Sequence, residues 1–137
     1  MATRSYIGVR NLDASVDYIY CHFDGYPSGN GAILSQHYQD MDKVNALMKL
    51  GDLSSLGQEI GEQQNFDTPR LSRSWCLAYG RDRGEKNVSV KNGDFGELIK
   101  DQTVDYVYIF DGDYWECFDT DSGKTIDLYN KMVQQTS

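Results

Sequence analysis

A chain of 137 residues has room for one domain and not for two of ordinary size. Its 13 Lys and Arg against 21 Asp and Glu leave a net charge of −8, which excludes a general, sequence-independent DNA binder held by phosphate contacts. Ten Tyr, five Phe and two Trp exclude a disordered chain, and the longest apolar runs are too short for a transmembrane helix.

Met1-Ala-Thr-Arg4 leads straight into a polar, β-like segment, so no secretory leader is predicted and a cytoplasmic setting is expected. Ser5–Arg10 reads as a first strand and Val16–Tyr20 as its hairpin partner, with turn chemistry in Asn11–Ser15. Asp24-Gly25 and Pro27 end that hairpin. A helix is predicted from about Gly31 to Tyr38. A second is capped by Asp40 or Asp42, carries an apolar stripe of Val44, Leu47, Met48 and Leu50, and stops at Gly51. Residues 52–57 suggest one more short turn, and 57–69 a long polar loop ending at Pro69.

Ser74–Tyr79 reads as a short strand and Gly80–Gly84 as a charged turn. Residues 87–91 alternate like a strand, while 93–100 fit either a short helix or an irregular approach. Val104–Phe110 is the clearest strand; Asp111-Gly-Asp113 is a hairpin signal, with 114–118 returning. Residues 125–133 are predicted to close the chain as a short helix. Together these give one α+β domain over 1–137: an antiparallel sheet of about five or six strands with two or three helices packed on one face.

Val16-Asp-Tyr-Ile-Tyr20 resembles Val104-Asp-Tyr-Val-Tyr108, and both runs end in Phe-Asp-Gly. The likeness fits an internal duplication or simply two Tyr-rich strands entering similar turns.

Three sets of residues are candidates for chemistry. Cys21, Cys76 and Cys117 are odd in number and contain no CxxC pair, so they read as reduced, buried thiols. Cys21 with His22 is the weakest case, a Cys-dependent enzyme, because neighbours on a strand point to opposite faces. No metal-ligand spacing and no cofactor motif is present, so neither is expected. The second set is Arg81 and Arg83 with Trp75 and Tyr79, a fork able to hold a phosphate or carboxylate beside rings, as in a nucleotide-signal sponge.

The leading set is acidic. Residues 101–123 hold seven acids and no Lys or Arg, so this stretch carries −7 of the net −8. Asp111, Asp113, Glu116, Asp119 and Asp121, with Tyr114 and Trp115 as anchors, form a candidate surface for a basic protein or nucleoprotein, whose field steers the encounter. Such a surface implies no direct contact with nucleic acid or membrane and leaves homo-oligomerisation open.

Tyr18-Ile-Tyr-Cys-His-Phe-Asp-Gly-Tyr-Pro27 with Gly29 and Gly31, Leu50–Gly57, and Tyr79-Gly-Arg-Asp-Arg-Gly-Glu85 together resemble a group of small accessory proteins encoded by bacteriophages and prophages. The resemblance implies a host-cell setting and a role against host defence, of the anti-CRISPR kind: blocking a nuclease complex or sequestering a nucleotide signal. It carries no catalytic residue over to this chain, and no motif of a named anti-CRISPR family is present. The leading expectation is a non-enzymatic inhibitor that binds through the acidic hairpin.

Overall fold

The computed structural model of the chain describes residues 2–67 and 74–129. Strands β1 (Ser5–Arg10) and β2 (Ser15–Cys21) form the expected antiparallel hairpin, with Ser5 opposite Cys21. Its turn is held by Asp13, whose Oδ1 accepts from the Ser15 N–H and hydroxyl. A wide π-type turn over Pro27–Gly31 runs into α1 (Ala32–His37), and α2 spans Met41–Leu50. Asp40 caps α2 by accepting from the Lys43 N–H at 3.0 Å. Gly51 ends it at φ +81°, a backbone that a side chain would strain.

The rest of the chain is β3 (Leu53–Ser55), β4 (Leu77–Ala78), α3 (Tyr79–Arg83), β5 (Lys91–Asp94), α4 (Phe95–Leu98), β6 (Tyr106–Phe110), β7 (Trp115–Asp119) and β8 (Thr125–Ile126). All eight strands join one sheet in the order β4-β3-β2-β1-β6-β7-β8, with β5 also on β2.

Several expectations need correction. The sheet is mixed: β1 pairs with β6 in parallel, as β2 does with β3. The chain leaves β1 and returns to its free side only at β6. A crossover of that length permits a parallel pair, and strand patterning cannot reveal it. Residues 53–55 are a strand, not a turn, because the polar-looking Leu-Ser-Ser run is buried beside β2. Gly80–Gly84 is mostly helical, nucleated by Asp82, which accepts from the Ala78 N–H at 2.8 Å. The strand expected at 87–91 forms instead at 91–94, and the helix option holds for 95–98. Thr125 and Ile126 pair with β7 as an edge strand; residues 130–133 of the expected closing helix lie outside the described residues.

Helices cover both faces. α1 and α2 pack on the first face, over Ile7, Ile19, Tyr108, Phe110 and Trp115. Leu98 and Phe95 of α4 pack on the second, over Val16, Val107, Ile109 and Phe118. A sheet apolar on both sides has to be covered on both. The buried rings that carry polar tips have partners for them. The Tyr38 hydroxyl donates to Gly57 O at 2.7 Å, that of Tyr108 to Gly25 O at 2.6 Å, and Trp115 Nε1–H to Tyr38 O at 2.7 Å.

The two similar strands are not placed alike. Tyr18 and Tyr20 of β2 lie on the second face, whereas Tyr106 and Tyr108 of β6 lie on the first. The sequence likeness therefore does not extend to what the tyrosines pack against.

Candidate functional site

The β6–β7 hairpin begins with a tight carboxylate turn. Asp111 Oδ1 accepts from the N–H groups of Asp113 and Tyr114, each at 2.8 Å. The turn throws Tyr114 outward, 62% exposed, edge-on to Tyr129 with ring centres 5.4 Å apart. Tyr129 is fixed from behind: its hydroxyl oxygen accepts from the Trp115 N–H at 2.9 Å. An open groove of about 530 Å³ lies here, lined by Gln39, Asp113, Tyr114 and Tyr129.

Trp115 does not belong to this surface. It is 3% exposed, its ring sits 5.0 Å from that of Phe110, and its N–H is bonded to Tyr38. Strand alternation turns it inward, so it anchors the core instead of a partner. Glu116 is half-buried on the second face opposite Ile109. Asp119 and Asp121 form a second carboxylate turn, with Asp119 Oδ1 accepting from the N–H of Asp121 at 2.9 Å and of Ser122 at 3.3 Å. The length of β7, about 13 Å at ~3.3 Å per residue, separates this turn from the first. The acidic stretch is thus two turns at opposite ends of one strand, not a single patch.

Among the described residues neither turn is neutralised. The ion pairs among the described residues are Arg81–Asp82, Arg83–Glu85 and Lys91–Asp52. None of Asp111, Asp113, Glu116, Asp119 and Asp121 takes part in them, so their field reaches solvent.

The Arg81 set comes together differently from a ligand fork. Arg81 Nη1 donates to Ile60 O at 2.8 Å, Nη2 to Cys76 O at 2.7 Å, and Nε to Asp82 Oδ1 at 3.0 Å. Asp82 also accepts from the Gln64 N–H at 3.0 Å. The guanidinium clamps segment 60–64 to α3 and has little capacity left for a ligand. Arg83 points elsewhere, over the rings of Phe66 at 4.4 Å and Tyr79 at 5.0 Å, and pairs with Glu85. Trp75 packs closely on Gly61.

Cys21 and His22 are not a pair. The Cys21 thiol is buried among Asn30 Nδ2, at 3.4 Å, and Phe23 O, and burial pushes its pKa up to about 12. His22 Nδ1 lies 2.7 Å from the Tyr20 hydroxyl instead. Cys76 and Cys117 are likewise free and buried, and burial raises both thiols. Among the described residues no cluster of three His, Cys, Asp or Glu is placed to hold a metal ion.

Sequence reasoning missed Gln39 and Tyr129, which come from α1's end and the chain's last described turn to complete the groove. It also missed an aromatic row on the second face, where Tyr6 meets Tyr18 at 4.9 Å and Tyr20 at 6.4 Å. The period-two tyrosines of β2, with Tyr6 on β1, were the signal for that row.

Residues 18–31, 50–57 and 79–85 lie side by side. Tyr20 N–H donates to Asp52 Oδ1 at 2.9 Å, His22 N–H to Leu53 O and Phe23 N–H to Ser54 O, each at 3.0 Å, and Tyr79 N–H to Asp52 O at 3.2 Å. What joins them is mostly backbone of β2, β3 and the start of α3. Comparison with protein-family models, curated proteins and solved structures finds no match to this chain.

Proposed function

We propose that this chain is a non-enzymatic binding protein that inhibits a host defence complex by occupying a basic surface of that complex with its acidic hairpin. One observation carries the reading: the carboxylates of the two β7 turns face solvent with no ion-pair partner among the described residues, beside the exposed ring of Tyr114. Uncompensated charge of one sign speeds encounter with a partner of the other, and an exposed tyrosine supplies contact area. The candidate nucleophile and the Arg81 fork, by contrast, are engaged in holding the fold. The resemblance to phage-encoded accessory proteins supplies the setting, not the residues.

The test is the variant Asp111→Asn, Asp113→Asn, Asp119→Asn, Asp121→Asn. Asn keeps the side-chain oxygen that both turns require, so the melting temperature should hold. In a host with an active defence system, wild-type expression should raise phage plating and the variant should not. Association with the purified target should slow as salt rises for the wild type, because the Debye length falls from ~10 Å at 0.1 M to ~3 Å at 1 M. A folded variant that protects the phage as well as wild type removes the proposal.

A further inference from the structure

The groove beside the first acidic turn has a composition that specifies what enters it. Among the described residues its lining is two tyrosine rings, one carboxylate and one amide, with no cation. The rings stand edge to face at 83°, and the exposed Tyr114 presents its ring beside Asp113. Gln39 Nε2 already donates to Ser35 O at 3.0 Å, which leaves Gln39 Oε1 as an acceptor. The groove therefore offers ring faces and acceptors, a combination that suits a flat cationic donor.

Elsewhere the chain covers several of its rings with its own cations, while exposed Phe23 and Tyr26 carry none among the described residues. Arg10 sits 4.0 Å from the Phe95 ring centre, Lys43 4.3 Å from Tyr38, and Arg83 4.4 Å from Phe66. In each case a cation of the same chain covers the ring. Among the described residues no cation covers the Tyr114–Tyr129 pair, although two carboxylates of the adjoining turn raise the attraction for one.

We propose that the groove lined by Gln39, Asp113, Tyr114 and Tyr129 seats an arginine side chain of the basic partner. The inference rests on the binding reading above and names the partner group. Arginine fits better than lysine because its planar guanidinium stacks on a ring while its N–H fork reaches a carboxylate. Asp113 and Gln39 Oε1 supply the acceptors, and Tyr114 the stacking face.

The experiment compares fluorescein-labelled hexa-arginine and hexa-lysine peptides by fluorescence anisotropy against the full chain. Equal peptide charge cancels the general field of the acidic turns, so the arginine-to-lysine affinity ratio isolates the seat. Wild type should favour the arginine peptide by about fivefold, the advantage of planar stacking and a carboxylate fork that lysine lacks. Tyr114→Leu, which keeps bulk at an exposed position, should lower the ratio by at least half, and Tyr114→Phe should preserve it. Asp113→Asn should weaken both peptides. Equal affinity for the two peptides in wild type, or an unchanged ratio in Tyr114→Leu, overturns the proposal while leaving the acidic-surface reading standing. Binding of neither peptide overturns both.

Discussion

Replacing Arg81 by Ala is expected to damage the fold far more than any ligand affinity. The side chain is 18% exposed and its Asp82 partner is fully buried. Truncation leaves Ile60 O and Cys76 O without their charged donor, at roughly 1.5–3 kcal/mol for each hydrogen bond to a charged group. It also leaves Asp82 without its cation, and breaking a buried pair by removing one member costs about 3–5 kcal/mol. These terms overlap. Asp82 keeps the N–H groups of Ala78 and Gln64, so the expected total is about 3–5 kcal/mol and not their sum. At roughly 3–4 °C per kcal/mol for a domain of this size, the melting temperature should fall by about 9–20 °C. Urea unfolding of wild type, Arg81→Ala and Arg81→Lys measures it. Lysine restores the charge but not the fork that reaches two carbonyls and a carboxylate, so it should recover less than half of the loss. A loss under about 1 kcal/mol for Arg81→Ala, or full recovery by lysine, would refute the clamp.

Three further outcomes are expected. Cys21 and Cys117, pushed by burial up to about 12, should resist a thiol reagent at neutral pH until denaturant is added. Their folded pKa values exceed those of the unfolded chain, near ~8.5, so the stability they contribute is complete below about pH 8.5 and is lost as pH rises from there towards 12; a melting temperature flat through that window would contradict this. Gly51→Ala should cost several times more than Gly84→Ala in urea unfolding. Both residues have positive φ, but a methyl at Gly51 would lie 2.4 Å from Val88 O, while at Gly84 nothing lies within 4 Å; equal losses would refute the steric argument. Trp115→Ala should cost about 3–5 kcal/mol and Tyr114→Ala at most ~0.5 kcal/mol by calorimetry; a Trp115→Ala protein as stable as wild type would place the indole at the surface after all.

Local signals in the sequence determined the local elements. Alternating apolar residues with turn chemistry between them set the β1–β2 and β6–β7 hairpins, and Gly51 with a cap at Asp40 or Asp42 bounded α2, the structure choosing Asp40. The single α+β domain and the burial of all three cysteines followed from composition and from the segments that hold them. These are properties of a residue and its near neighbours, so a linear reading reaches them.

Pairing across long separations was decided only in three dimensions. The parallel β1–β6 contact, the recruitment of Leu53–Ser55 into the sheet, and the placing of helices on both faces depend on where the chain returns. The candidate site shows the same division. The acids and Tyr114 were legible as a charged, aromatic run. Only the fold turned Trp115 into the core, engaged Arg81 with backbone carbonyls, and brought Gln39 and Tyr129 beside Tyr114. Charge is written residue by residue, whereas a groove needs side chains from distant elements to meet. That meeting is set by burial of the two apolar sheet faces, which composition and spacing do not order.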